Sequence, residues 1–147
     1  MGSNIKLREV EMADFVAVHQ IGTLAFEDYN AAGFEDMARN PLYKFWVAEV
    51  DCKVAGFLVV LTVDEKMEII DIATSAEYRR FGVATVLLLA AKKYAKQLGK
   101  VGILLEVNEN NIAAKNLYQK LGYKEIYVRK KYYAGKFDAI IMELMID

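Results

Sequence analysis

Residues 5–10 (IKLREV), apolar at 5, 7 and 10, read as a short first strand. From 13 to 24 the rhythm turns helical, with Phe15, Val16, Val18, Ile21 and Leu24 assigned to one face. A shorter, weaker helix is expected within 33–39, ended by Asn40-Pro41. Residues 45–50 and 54–62 predict paired strands turning through Asp51-Cys52-Lys53. A second turn at Asp64-Glu65-Lys66 leads into 67–74 (MEIIDIAT), a run rich in β-branched residues that suits a mostly buried strand.

Beyond it, Val83, Val86, Leu87, Ala90, Ala91, Tyr94, Ala95 and Leu98 recur at helical spacing, and Gly99 supplies a stop. Residues 101–107 (VGILLEV) form an apolar strand with one charge, Glu106, and a helix over 111–121 ends at Gly122. The last two strands are expected at 123–133 and 138–146. The predicted order is strand, helix, helix, three strands, helix, strand, helix, two strands. That is an α/β (α+β) architecture with a central mixed, mostly antiparallel seven-stranded sheet flanked by four helices. The helical crossover between the fourth and fifth strands makes that pair parallel.

Composition narrows the function. With 147 residues, 55% of them hydrophobic, the chain fits one domain spanning residues 1–147 with a sizeable core. A formal net charge of −1 provides no basic field to gather nucleic acid or acidic lipid. One cysteine, Cys52, excludes an internal disulfide, and with one histidine, His19, it makes no usual zinc site, so no metal is expected. No apolar run reaches a membrane-spanning length and no signal-peptide core is present, which reads as a cytoplasmic protein.

The candidate chemistry starts at Tyr78-Arg79-Arg80-Phe81-Gly82-Val83-Ala84, which joins a strand to a long helix. The first N–H groups of a helix lack intrahelical partners and sit at the positive end of its dipole, so an anion docks there. Gly82 and Ala84 keep side chains away from those amides, while Arg79 and Arg80 add charge. The same pattern is met in solvated strand-to-helix connections. It is neither a Walker loop nor a three-glycine dinucleotide fingerprint, and favours a phosphate-bearing cofactor with a different reactive end.

Downstream, LEVNENNIAAKNLYQKLGYKEI brings Glu106, Asn111 and Tyr118 to the end of the fifth strand and the helix after it. With Arg79, Gly82 and Ala84 matching the pyrophosphate turn [QR]-x-x-G-x-[GA], the chain resembles the GNAT family of acetyl-coenzyme A-dependent N-acetyltransferases. The similarity sharpens for the subgroup acting on protein N-termini, the ribosomal-protein alanine acetyltransferases and their archaeal relatives. It is carried by Leu105-Glu106-Val107, Asn111, Leu117-Tyr118, Leu121-Gly122-Tyr123, Tyr132-Tyr133 and 138–142 (DAIIM).

The resemblance implies acetyl-CoA as co-substrate. Arg79, Arg80, Phe81, Gly82, Val83, Ala84 and Thr85 would hold its pyrophosphate, Ile72, Ala73 and Thr74 would pair with the pantetheine arm, and Asn111 would help hold the coenzyme. Glu106 would act as general base, directly or through water, and Tyr118 as the acid that protonates the departing thiolate. Tyr132 and Tyr133 would lie over the acceptor, opposite a wall containing Phe26, Glu27 and Tyr29. That wall lacks the proline common in relatives. The implied partner is a protein or peptide N-terminus, a ribosomal protein among them, with the enzyme a monomer or homodimer. The alternatives are a lysine side chain, polyamine or other small amine as acceptor, or a coenzyme A-binding sensor without turnover.

Overall fold

The computed structural model describes residues 4–25, 33–133 and 135–147. Seven strands and four helices follow in the expected order: β1 (Ile5–Glu9), α1 (Phe15–Ala25), α2 (Phe34–Arg39), β2 (Tyr43–Val50), β3 (Lys53–Leu61), β4 (Lys66–Thr74), α3 (Val83–Gln97), β5 (Gly102–Asn108), α4 (Ile112–Lys120), β6 (Lys124–Tyr133) and β7 (Phe137–Met145). They build one sheet in the order β1-β2-β3-β4-β5-β7-β6. Every pairing is antiparallel except β4 with β5.

Each face of the sheet buries its own apolar cluster. On one face α3 and α4 cover Leu58, Val60, Met67, Ile69, Ile103, Leu105, Val107 and Met142. On the other, α1 and α2 cover Phe45, Val47, Phe57, Val59 and Ala73, with Phe34 edge-on to Phe45 and Phe57. At about 25 cal/mol per Å², burial of such aromatic side chains contributes roughly 2–3 kcal/mol each, enough to seat the short α2 despite its weak helical pattern.

α1 differs from its sequence reading. A 3-10 turn over Met12–Asp14 precedes it, held by the Arg8 guanidinium, which donates to both Asp14 oxygens at 2.7 and 2.8 Å. The helix buries Val18 and Ile21, whereas Val16 and Leu24 are exposed. Steps of three slip back by about 60° in an α-helix, so Leu24 has rotated to the side opposite Phe15.

The sheet forks in the middle. β4 and β5 pair only from Lys66–Gly102 to Glu68–Leu104, and beyond this their ends part. Bulk beneath the fork is kept small by Gly56 on β3: a Cβ there would lie 2.8 Å from the Ala73 carbonyl oxygen and 2.8 Å from Val83 Cγ1. The close approach lets the start of α3 press against β3 and β4.

Candidate active site

At the end of β4 the chain makes a 3-10 turn (Ala76–Tyr78) and then reverses through two left-handed residues, Arg80 (φ 73°) and Gly82 (φ 82°). Gly82 caps α3. Open space surrounds its Cα, so the glycine is required by its backbone angle, where side-chain bulk is disfavoured. The first intrahelical closure is Val86 N–H to the Gly82 carbonyl at 3.0 Å. The N–H groups of Val83, Ala84 and Thr85 therefore point out of the helix start. Arg79, Arg80 and Phe81 are exposed around them.

Ile72, Ala73 and Thr74 lie on the β4 arm of the fork. β3 pairs one edge of this arm, at Leu58–Ile72, Phe57–Ala73 and Gly56–Thr74, and the other edge faces the gap left by β5. An unpaired strand edge of this kind offers N–H and C=O groups to which an extended amide-bearing chain could add as a strand. An open cavity of about 390 Å³ lies between α1, the start of β3 and the turn after β4, lined by Ile21, Val54, Thr74, Ser75, Tyr78 and Arg79.

Glu106 lies on the β5 arm. Its neighbours Leu105 and Val107 join the α3/α4 core, so Glu106 points to the opposite face, where Arg129 Nη1 reaches its Oε1 at 2.7 Å. Arg129 comes from β6, across β7, and shares that face with Tyr127 and Ile141. The sequence does not single out Arg129, because strand order β5-β7-β6 cannot be read from local pattern.

Tyr118 is buried in the α3/α4 core, its ring 5.9 Å from that of Tyr123. The Tyr123 hydroxyl is buried with no hydrogen-bond partner among the described residues, and burial, with Tyr118 beside it, pushes its pKa above the usual phenol range. Asn111 caps α4, its Oδ1 accepting from Ala114 N–H at 3.2 Å, which leaves the amide NH₂ and the second lone pair of Oδ1 for other partners.

The β6–β7 hairpin leans over the β5 arm. Glu109 Oε2 accepts from Asp138 N–H at 2.8 Å, Asp138 Oδ1 accepts from Lys131 N–H at 2.7 Å, and Lys131 takes a left-handed φ of 51° in an irregular stretch of pairing. Tyr132 and Tyr133 belong to β6 in this hairpin, but their side chains lie outside the described residues, as do Phe26, Glu27 and Tyr29. Cys52 is exposed in the β2–β3 turn, and His19 Nε2 lies 3.0 Å from Glu35 of α2.

One further group lies by the fork, on the face covered by α1 and α2. Asp71 is a half-buried carboxyl on β4, and burial raises its pKa from 3.8 to about 6. A lone aspartate in the otherwise apolar second half of MEIIDIAT was the available signal, and it went unread. Among the described residues no group of three or more His, Cys, Asp or Glu is arranged to hold a metal ion, and no helix is long and apolar enough to cross a membrane.

Known proteins share this fold. The acetyltransferase (GNAT) family pattern matches residues 5–123. An N-alpha-acetyltransferase of Sulfurisphaera tokodaii is 33% identical, the alignment covering 96% of this chain and 93% of the relative. A protein of the same description from Saccharolobus solfataricus matches with the same identity and coverage. The crystal structure of the ribosomal-protein-S18-alanine N-acetyltransferase from Escherichia coli superposes with a TM-score of 0.88 at 28% identity, covering 98% of this chain and 95% of that one.

Proposed function

The chain belongs to the acetyltransferase (GNAT) family and is an acetyl-CoA-dependent N-acetyltransferase, and we propose that its acceptor is the α-amino group of a protein N-terminus, such as that of a ribosomal protein. The observation that supports the reading is the fork: an unpaired β4 edge, suited to the pantetheine arm, leads to the free amides that open α3, suited to the diphosphate. The names of the relatives support the choice of acceptor. The whole chain acts as a single domain, in the cytoplasm.

The reaction runs by direct transfer. An α-ammonium titrates near about 8, so a modest base suffices at neutral pH. Glu106, its Oε1 held by Arg129, receives the proton on Oε2, directly or through a water. The freed nitrogen attacks the thioester carbon, and backbone N–H groups on the β4 arm meet the oxyanion. The C–S bond then breaks, Tyr118 gives its proton to the thiolate, and the second proton on the acylated nitrogen returns through water to the Tyr118 phenolate. Positioning two reactants in this cleft lowers the barrier by up to roughly 7–11 kcal/mol, and each proton transfer contributes about 10²–10⁴-fold.

Mass-spectrometric screening of free peptide N-termini with acetyl-CoA tests the acceptor. Efficient N-terminal acetylation is expected, with spermidine and internal lysines much poorer. A reversed preference overturns the assignment. Tyr118→Phe and Glu106→Gln should each lower kcat by about 10²-fold or more while acetyl-CoA still binds, as checked by calorimetry.

A further inference from the structure

Asp71 owes its orientation to a defect in the sheet. On β3 the consecutive residues Val59 and Val60 pair with Asp71 and Ile69, so Ile70 is skipped and β4 bulges there. Directly opposed residues share a face, and Val59 belongs to the cluster under α1 and α2. The bulge therefore turns Asp71 to that face, and returns Ile72 to the α3/α4 side, where it packs. An unbulged strand would have driven the carboxyl into the α3/α4 core.

Register also locates Asp71 along the fork. It stands three residues past Glu68, the last β4 residue paired with β5, while Glu106 stands two past Leu104 on the other arm. Both carboxylates face the same side of the sheet at the point where the arms part. Their situations differ. Glu106 has Arg129, but Asp71 has neither hydrogen bond nor ion pair among the described residues. Other charged groups on this face include exposed Glu68, the pair Lys66–Glu143 with Lys124 opposite Glu143, and, farther out, Arg8 with its partners Asp14 and Glu49. A desolvated carboxylate left without a partner is costly, and its natural partner is a cation supplied from outside.

We propose that Asp71 is the residue that binds the acceptor's ammonium at the fork, selecting a cationic amine and holding it beside Glu106 before the proton leaves. This rests on the acetyl-transfer reading above, but not on the acceptor being a protein N-terminus. The burial that raises the Asp71 pKa to about 6 fits this role, because a nearby ammonium restores the charged form.

The test is a cycle between one side chain and one amine. A short peptide with a free N-terminus and its des-amino analogue are titrated by calorimetry into wild type and Asp71→Asn, each loaded with coenzyme A. The free amine should bind Asp71→Asn about 10- to 100-fold more weakly, as loss of a hydrogen bond to a charged group predicts, with the des-amino peptide unaffected. In turnover the loss should fall on KM for the acceptor, with kcat nearly kept. Equal losses on both probes would mean a structural role and overturn the proposal, as would no loss on either. Asp71→Ser repeats the cycle if the asparagine variant does not fold. Should wild type bind neither peptide, spermidine replaces it. An Asp71-dependent amine effect there keeps this inference while removing the N-terminal acceptor, and its absence ends both.

Discussion

Asp14 and Asp71 carry opposite electrostatic histories, and the difference separates a structural carboxylate from a functional one. Asp14 is buried against Arg8, whose guanidinium hydrogen bonds hold its pKa below 3.8. It therefore contributes stability above its unfolded pKa that is lost as pH falls through the folded one. Asp71 has its pKa raised to about 6, so the folded state binds the proton more tightly than the unfolded chain. Its contribution is favourable near pH 4 and disappears as pH rises towards 6. The loss is no more than about 3 kcal/mol at neutral pH. Thermal melts should show Asp71→Asn more stable than wild type at pH 7 and level with it near pH 4, whereas Asp14→Asn should be the less stable at pH 7 and converge only in acid. A neutral pH penalty at Asp71 is what a site kept for binding rather than folding would show. At this scale the sequence exposed Glu106 and Tyr118 as candidates through their motif, but not Arg129 or the aim of Asp71, which depend on strand order and a bulge.

Element identities were legible because periodicity is local: all eleven elements appear in the expected order, most within one or two residues of their expected bounds. What escaped depends on contact between distant segments. The α1 face was misassigned because Val16 and Leu24 are apolar yet exposed, and the fork could not be seen because nothing in either strand says where pairing stops. Gly56 is another such case, an unremarked glycine in a strand whose missing side chain lets α3 begin against the sheet. A methyl there meets the Ala73 carbonyl, which cannot move without disturbing the β4 arm. Gly56→Ala should cost about 1–3 kcal/mol by overpacking and should weaken acetyl-CoA binding, because both the α3 amides and the β4 edge must shift. A melt and a coenzyme titration check the two together. Lower stability with unchanged affinity would mean that the strain relaxes away from the fork.

For the whole molecule, the fork divides the sheet into a β1-β2-β3-β4 half and a β5-β7-β6 half, joined by three residue pairs between β4 and β5, by the Lys66–Glu143 ion pair and by helix packing. A ligand seated between the arms supplies the contacts that the strands do not make. Acetyl-CoA should therefore stabilise the fold by about 2.7 kcal/mol at a hundred times its Kd, and raise Tm by roughly 5–10 °C for a chain of this size. Hydrogen exchange can resolve where that stabilisation arises. Full coenzyme should slow amides on the β4 arm at Ile72–Thr74 and at the start of α3, Val83–Thr85. S-acetylpantetheine, which has the thioester and both amides but no diphosphate, should protect the β4 arm and leave the α3 start unchanged. If both ligands protect α3 equally, the free amides there do not bind the diphosphate. If neither protects β4, the gap between the arms is not the acyl channel.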